Sequence, residues 1–387
     1  MRPVTWGITL ALAGAGWTAP SARAGDGMFN TVNVGGRSYV NVADVTRFYR
    51  FDGNWKMAGT EVVLRSKSRI FHFRVNNREC FVNGVRIWLN DAPIEARNSL
   101  LLSEVDVLKT LDPVFRPGSV RKLGVKTVML DPGHGGEDHG TTGLRGTLEK
   151  HYTLDLAARV EKLLRATGFR TLMTRRRDAY VSPEDRADMA NSSDADLLVS
   201  LHFNSAKPAR GPRGVETYCL TPAGLSSTGA LTRRFGFGRF AEEPGNRSDR
   251  NNMLLAFLIQ QNLVDGIKGA EDRGVRRARF HVIKAVDVPA VLVESGFLSN
   301  PEEEKLALTP AYHQQLAVAI ANGIIRYARA MGFTAQLGGA TERRGGQGVM
   351  LPQSTRCHGP PGLLGFPPCE TEAPGQRGAV RGCHVPS

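Results

Sequence analysis

Cysteine is scarce in this sequence of 387 residues, which contains five. An odd number does not make a complete disulfide framework. Three of the five lie near the C-terminus and lack the paired spacing of a structural zinc site. The other two fall in different predicted domains, and we expect them to be small buried hydrophobic residues rather than a bridge. The five residues are Cys80, Cys219, Cys357, Cys369 and Cys383.

Long apolar runs and clustered basic residues are also lacking. Beyond the first 24 residues, no segment of the sequence is long and apolar enough to be expected to span a bilayer. The 50 Lys and Arg residues exceed the 37 Asp and Glu residues, which gives a net charge of +13 and favours an anionic partner. Because the basic residues form no block with interleaved aromatic residues, we do not expect nucleic acid to be that partner.

Residues 1–24 resemble a secretory signal peptide. Arg2 precedes a mainly apolar stretch over residues 4–17, and Ala22-Arg23-Ala24 fits a small-x-small cleavage signal. The alternative is an uncleaved anchor, because the charged segment at the start is short. We therefore expect an exported protein, periplasmic or extracellular at the cell wall, with no stable membrane insertion after cleavage.

Composition divides the remaining sequence into two folded units and a tail. Residues 25–118 are predicted to form a small α+β accessory domain with hairpins, since Gly35-Gly36 and Asn83-Gly84 are typical hairpin turns. Residues 119–124 are a predicted linker, and residues 125–333 a predicted catalytic domain. Residues 334–387 are rich in Gly, Pro and Arg and are predicted to be disordered.

The second unit alternates between strand-like and helix-like segments, which predicts an α/β fold with a mostly parallel sheet flanked by helices. The predicted strands cover residues 125–130, 169–174, 196–201, 214–220, 280–284 and 290–294. The predicted helices cover residues 148–167, 183–191, 254–268, 301–308 and 311–331.

Polar residues with metal-binding chemistry follow three of these strands. His134 comes after the first strand in a Gly-rich turn, and His202 ends another strand. Because the carboxyl ends of parallel strands lie at one edge of a sheet, we expect both imidazoles there. The apolar strand 290–293 leads into Glu294, a carboxylate that would be costly to bury without a partner or a metal.

Another carboxylate, Glu149, falls in the first turn of a predicted helix, with Thr147 as its expected N-cap. Two neutral His and one Glu make a three-ligand zinc set that leaves a fourth position for water. A second carboxylate outside that set can move the proton of the water. The spacing alone does not say which Glu has which role.

Four motifs occur in the order found in zinc-dependent N-acetylmuramoyl-L-alanine amidases, the amidase type 3 family. They are the DPGHGG segment at 131–136, Glu149, the SLHFN segment at 200–204 and the PAVLVESGFLSN segment at 289–300. The resemblance implies that His134, Glu149 and His202 bind Zn²⁺ and that Glu294 is the catalytic carboxylate. It also implies hydrolysis of the amide bond between N-acetylmuramic acid and L-alanine in peptidoglycan, the expected partner.

Several alternatives stay open at this point. The same site could cleave another wall amide or peptide bond, or the protein could bind peptidoglycan without catalysis. Arg186 is expected to make a structural pair rather than a substrate contact. We expect a monomer and allow for a protein activator.

The first unit resembles the N-terminal domain of copper amine oxidases, a module without copper chemistry in cell-wall proteins. The resemblance rests on the hairpin spacing and on the phrases RSYV at 37–40 and VNGV at 82–85. An unrelated small α+β spacer is the alternative interpretation.

Overall fold

The computed structural model describes residues 28–53, 57–96, 98–228 and 240–334. The predicted signal peptide and nearly all of the predicted tail lie outside these residues, so both stay predictions. In the part of the chain that is described, no helix is long and apolar enough to cross a membrane.

The N-terminal unit is built mainly from short antiparallel strands. Its strands are β1 (Thr31–Val34), β2 (Arg37–Asn41), β3 (Met57–Ala58), β4 (Glu61–Arg65), β5 (Ile70–Arg74), β6 (Glu79–Val82), β7 (Val85–Trp88), β8 (Ile94–Ala96) and β9 (Ser99–Ser103). Its helices are α1 (Val42–Tyr49), the short α2 (Glu104–Asp106) with a π-helical turn over Val107–Leu111, and α3 (Asp112–Phe115). The α+β character and the hairpins predicted for this unit are confirmed.

The second unit alternates strands with longer helices. Its strands are β10 (Thr127–Pro132), β11 (Arg170–Met173), β12 (Leu197–Asn204), β13 (Val215–Leu220), β14 (Asp272–Ala278) and β15 (Ala290–Phe297). Its helices are α4 (Glu149–Ala166), α5 (Pro183–Ser192), α6 (Asp249–Gly266), α7 (His281–Lys284), α8 (Pro301–Ala307) and α9 (Pro310–Ala330). The predicted α/β class is confirmed.

One sheet runs through both units, with the strand order β11-β10-β12-β15-β13-β14-β7-β6-β5-β4-β3. Strands β11, β10, β12 and β15 are parallel, whereas β13 pairs antiparallel with β15. The two units meet where β14 lies parallel to β7, with Val275 beside Ile87. The N-terminal hairpins therefore extend the sheet of the second unit.

The two faces of the second unit's sheet are covered differently. Helices α4, α6 and α9 pack on one face and form the main core with the inward-facing strand residues. The shorter helices α5 and α7 cover part of the other face in a smaller apolar cluster. Cys80 and Cys219 are both buried and free, as expected of small buried hydrophobic residues.

The strand predicted at residues 280–284 is wrong, because this segment forms helix α7. Val282 and Ile283 are buried in the smaller apolar cluster. A single helical turn can bury these two side chains as well as a strand would. The strand that lies between β13 and β7 is instead β14, which the prediction missed. This strand has the sequence DRGVRRA, and its charged residues hide the apolar signal.

Buried Arg277 shows why a charged strand is tolerated there. Its guanidinium donates to the backbone oxygen of Leu220 at 2.8 Å and to that of Lys109 at 2.8 Å. Because Lys109 belongs to the N-terminal unit, this side chain also ties the two units together. Hydrogen bonds to carbonyl groups offset part of the cost of burying its charge.

We expect Gly323→Ala to destabilise the protein, because helices α6 and α9 touch at this glycine. A Cβ at residue 323 would lie 2.6 Å from the Cα of Ile259, so the helices must separate, at a cost of about 1–3 kcal/mol. Urea unfolding measures the change. Gly266→Ala is the matched control, since its Cβ would lie 3.4 Å from that of Ala319. A loss equal to that of the control would contradict this packing argument.

Candidate metal centre and active site

The predicted site residues come together at the carboxyl edge of the sheet. Strand β10 ends at Pro132, and His134 follows in a left-handed backbone conformation with a φ of 62°. Such a conformation is strained for a residue other than glycine and is often found at functional sites. His202 lies near the end of the neighbouring parallel strand β12, and Glu149 is the first residue of α4.

A carboxylate oxygen lies between the two imidazoles. Oε1 of Glu149 is 3.2 Å from Nε2 of His134 and 3.0 Å from Nδ1 of His202. One ligand atom from each of these three residues lies within 4.8 Å of the others, which is close enough to hold one metal ion. Two imidazoles and one carboxylate are a donor set that suits zinc.

Glycines give this cluster its space. A Cβ at Gly133 would overlap the imidazole of His202, and one at Gly140 would lie 2.6 Å from the ring of His134. The Gly-rich turn that sequence analysis placed around His134 therefore serves the close approach of the side chains. A larger residue at either position would displace a candidate ligand.

Backbone amides fix the position of Glu149. Phe203 N donates to Oε1 at 3.0 Å and Thr141 N donates to Oε2 at 2.8 Å. Burial alone would raise the pKa of this carboxyl, but the hydrogen bonds and charges of His134 and His202 hold it well below its usual range. Glu149 is therefore an anion, as a metal ligand must be.

Thr147 does not have the role predicted for it. The N-cap residue of α4 is Leu148, which makes no side-chain capping bond. The hydroxyl of Thr147 instead donates to Oε1 of Glu304 at 2.9 Å, and Arg145 N donates to the same oxygen at 2.8 Å. The loop before Glu149 is thus tied to α8, a contact that local capping rules cannot reveal.

Sequence reasoning missed Asp138, whose Oδ2 lies 2.8 Å from Nδ1 of His134. This contact orients the ring so that Nε2 faces Glu149. The pKa of His134 is raised: burial works against protonation, but contacts with Glu149 and Asp138 outweigh it. The signal in the sequence that could have identified Asp138 is the position of this carboxylate four residues after His134.

Glu294 lies beside this cluster on the next strand, where its Cα is paired with that of His202. Its Oε2 is hidden from solvent and has no hydrogen-bond partner among the described residues. Burial, together with the negative charges of Glu149 and Glu216, raises the pKa of this carboxyl well above its usual range. Carboxyls whose pKa is raised by burial and by neighbouring negative charge occur often at catalytic sites, where they act as general acids and bases.

A buried ion pair supports the loop that carries His134. Nη1 of Arg186 lies 2.5 Å from Oδ1 of Asp131, and the same guanidinium donates to the backbone oxygens of Pro132 and His134. The prediction that Arg186 has a structural pairing role is confirmed. Thr174 and Ser200 also donate to Asp131, from β11's end and from β12.

The arrangement fits one broad class of protein. An α/β sheet carries a His-Glu-His cluster at its carboxyl edge, with a protonatable carboxyl beside it. Such a site can polarise a carbonyl group and activate water when a metal is bound. The class that fold and site define is therefore that of hydrolases with an α/β fold and a candidate three-residue metal site.

Comparison with known proteins specifies the family. A family model described as N-acetylmuramoyl-L-alanine amidase matches residues 128–326, slightly more than half of the chain. The amidase AmiA of Salmonella typhimurium strain LT2 is 34% identical over an alignment of 247 residues, and the match covers 58% of this chain and 84% of AmiA. AmiA of Escherichia coli K12 is 34% identical over 250 residues, covering 59% and 85% of the two chains.

A solved structure gives a further comparison. The amidase AmiC2 of Nostoc punctiforme is 29% identical, covers 53% of this chain and 97% of its own, and has a TM-score of 0.45. On the family match and the two relatives, the chain belongs to the N-acetylmuramoyl-L-alanine amidase family. It hydrolyses the amide bond between N-acetylmuramic acid and L-alanine in peptidoglycan.

We expect Arg186→Ala to lower the free energy of unfolding by about 3–5 kcal/mol, because the buried carboxylate of Asp131 would lose its charged partner. Burial favours protonation of Asp131, but Arg186 and the two hydroxyls lower its pKa. This pair therefore stabilises the protein above about pH 4, the unfolded pKa of Asp, and its contribution is lost as the pH falls through the lower folded pKa. Urea unfolding between pH 3 and 7 measures both effects.

The matched control for this prediction is Arg176→Ala. Arg176 is exposed and pairs with Glu161 at 2.7 Å, so its loss should cost less than about 1 kcal/mol. If the free energy of unfolding falls equally in the two variants, the buried carboxylate of Asp131 does not need the charge of Arg186.

Proposed function

We propose that this amidase is zinc-dependent, with His134, Glu149 and His202 as metal ligands and Glu294 as the catalytic carboxylate. The observation that carries the proposal is the position of Glu149 Oε1, which lies within 3.2 Å of a ring nitrogen of each histidine. Glu294 stands outside this group but adjoins His202 across the sheet. Its Oε2 has no hydrogen-bond partner among the described residues, which leaves this oxygen free to accept and release a proton.

Bound zinc would polarise the scissile carbonyl and acidify water. The residues of the chain orient the metal ligands and transfer the proton. Asp138 holds the tautomer of His134, and the amides of Phe203 and Thr141 hold Glu149. Glu294 takes a proton from the attacking water and delivers it to the leaving amine of L-alanine, which requires a pKa near the working pH.

The competing interpretations of the site have less support. Hydrolysis of another wall amide would use the same residues and is separated from the proposal by its products. A wall-binding protein without catalysis would not need the partly buried carboxyl of Glu294 beside three candidate metal ligands.

Export and wall attachment complete the proposal. The leader-like residues 1–24 suggest delivery to the periplasm or the outer cell wall, where the substrate is. Residues 25–118 are proposed to be an accessory wall-binding unit, resembling the copper amine oxidase N-terminal module. Four further features stay predictions. They are a linker at residues 119–124, a monomeric state, a protein activator and the lack of a nucleic-acid partner.

The decisive experiment incubates the full chain with purified peptidoglycan and identifies the released products by mass spectrometry. We expect free stem peptides beginning at L-alanine, no release after chelation, and recovery on addition of zinc. Peptides cut at another bond would overturn the substrate assignment, and full release after verified removal of metal would overturn the zinc assignment.

We expect Glu294→Gln to lower the rate of peptide release by at least about 100-fold, because the amide cannot accept a proton from water. Zinc content should remain at one ion per chain, measured by elemental analysis. His202→Ala is the contrasting variant and should lose both zinc and activity. Substantial turnover by Glu294→Gln would remove Glu294 from its proposed role.

We expect Asp138→Asn to weaken zinc binding by about 10–100-fold, because the carboxylate orients His134 and increases its basicity. Competition with a chromophoric chelator measures the affinity. The adjacent exposed residue provides the control, Glu137→Gln, which should leave zinc affinity unchanged. If the two variants bind zinc equally well, Asp138 has no part in positioning His134.

A further inference from the structure

The sheet of the N-terminal unit has one buried and one partly exposed face. Alternate residues such as Val62, Phe73 and Ile87 belong to the main core. The residues between them point to the other face and stay partly exposed. They are Glu61, Val63, His72, Glu79, Phe81, Arg86 and Trp88, together with exposed Arg74. We call these eight residues the outer face.

Strand pairing joins the outer face to the active site. His202 is paired with Glu294, and Glu294 with Glu216. Residues paired across neighbouring strands point to the same face of a sheet. The carboxyl of Glu294 therefore shares its face with His202 and Glu216.

The same row continues into the N-terminal unit. Glu216 is paired with Gly274, whose neighbour Val275 is paired with Ile87, so that Gly274 lies against Arg86. Arg86 is in turn paired with Phe81, and Phe81 with His72. Five strand spacings of about 4.8 Å separate Glu294 from His72, roughly 24 Å in total.

Flat groups dominate the surface along this row. Arg276 lies 4.8 Å above the ring of Trp88, and Arg86 lies 5.6 Å from the ring of Phe81. The ring of His72 continues the surface at 5.8 Å from that of Phe81, nearly parallel to it at 20°. Rings and guanidinium planes of this kind offer apolar surface with polar edges.

The charges of the row are nearly balanced. Arg86 pairs with Glu79 at 3.0 Å, and Arg74 pairs with Glu61 at 2.6 Å. Glu216 is contacted by two arginines, at 3.0 Å by Arg273 and at 2.8 Å by Arg276. A surface whose arginines already have carboxylate partners has little free charge to attract an anionic ligand.

We propose that the row from Glu294 to His72 binds the glycan strand of peptidoglycan on one side of the cleaved bond. This inference rests on the amidase function, since the sugar at the scissile amide belongs to a polymer that must continue away from the site. The apolar faces of sugar rings match the aromatic groups, and their hydroxyl and acetamido groups match the paired Arg and Glu side chains. The near balance of charge favours this neutral chain over the acidic stem peptide.

The test measures binding of the full chain, in the presence of a chelator, to a neutral peptide-free glycan, β-1,4-linked N-acetylglucosamine oligomers, because glycan released by amide hydrolysis carries a lactyl carboxylate on each N-acetylmuramic acid. These oligomers contain no scissile amide, so the result does not depend on zinc or on Glu294, and a failure of the catalytic proposal stays separate. We expect binding, and we expect Phe81→Ala to weaken it about tenfold, as for the loss of one stacking contact. Affinity should also rise with glycan length until the glycan spans the row.

Three further variants distinguish loss of the aromatic ring from loss of apolar volume and from loss of an aromatic residue elsewhere. Phe81→Tyr retains the ring and should bind like the parent, whereas Phe81→Leu retains apolar volume without the ring and should not. Phe48→Ala removes a partly exposed aromatic residue of α1, away from the outer face, and should bind normally. Thermal unfolding establishes that each variant is folded.

The proposal is overturned if the full chain does not bind peptide-free glycan, or if Phe81→Ala binds as tightly as Phe48→Ala. Stronger competition by free stem peptide than by glycan would assign the outer face to the peptide and would equally overturn it.

Discussion

The active site depends on the buried carboxylate of Asp131. This group accepts hydrogen bonds from Arg186, Thr174 and Ser200, which come from three different elements of the fold. Because Arg186 also donates to the backbone oxygens of Pro132 and His134, one ion pair holds the turn on which the first histidine stands. The strained backbone at His134 persists because its surroundings fix it.

The carboxylates near the sheet edge have different environments and therefore different chemistry. Glu149 is held ionised by two imidazoles and two backbone amides, whereas Glu294 has a raised pKa and one unpartnered oxygen. Glu216 is buried against two arginines. Residues of one type can thus serve as ligand, proton carrier and structural partner, according to which groups the fold places beside them.

The continuous sheet changes how the N-terminal unit is understood. Sequence analysis predicted a separate domain followed by a linker, and these domain bounds stay predictions. Pairing of β14 with β7 and the hydrogen bond from buried Arg277 to the backbone oxygen of Lys109 connect the unit to the sheet that carries the site. The outer face and Glu294 therefore lie on one continuous sheet.

Local sequence was sufficient for much of this protein. The apolar strand segments that lead into His134, His202 and Glu294 indicated the α/β class and placed these residues toward one edge, because parallel strands share a carboxyl end. Strand β14 was not predicted because its arginines interrupt the apolar pattern of a strand. Helix α7 was predicted as a strand because four residues are too few to show a clear periodicity.

The tertiary structure alone decided which carboxylate meets both imidazoles, that Asp138 orients His134, and that Thr147 contacts Glu304 instead of capping its helix. These outcomes depend on distances between segments that are far apart in the chain, and on which charges are buried together. Periodicity and turn chemistry describe a residue's own segment, so they cannot supply that information.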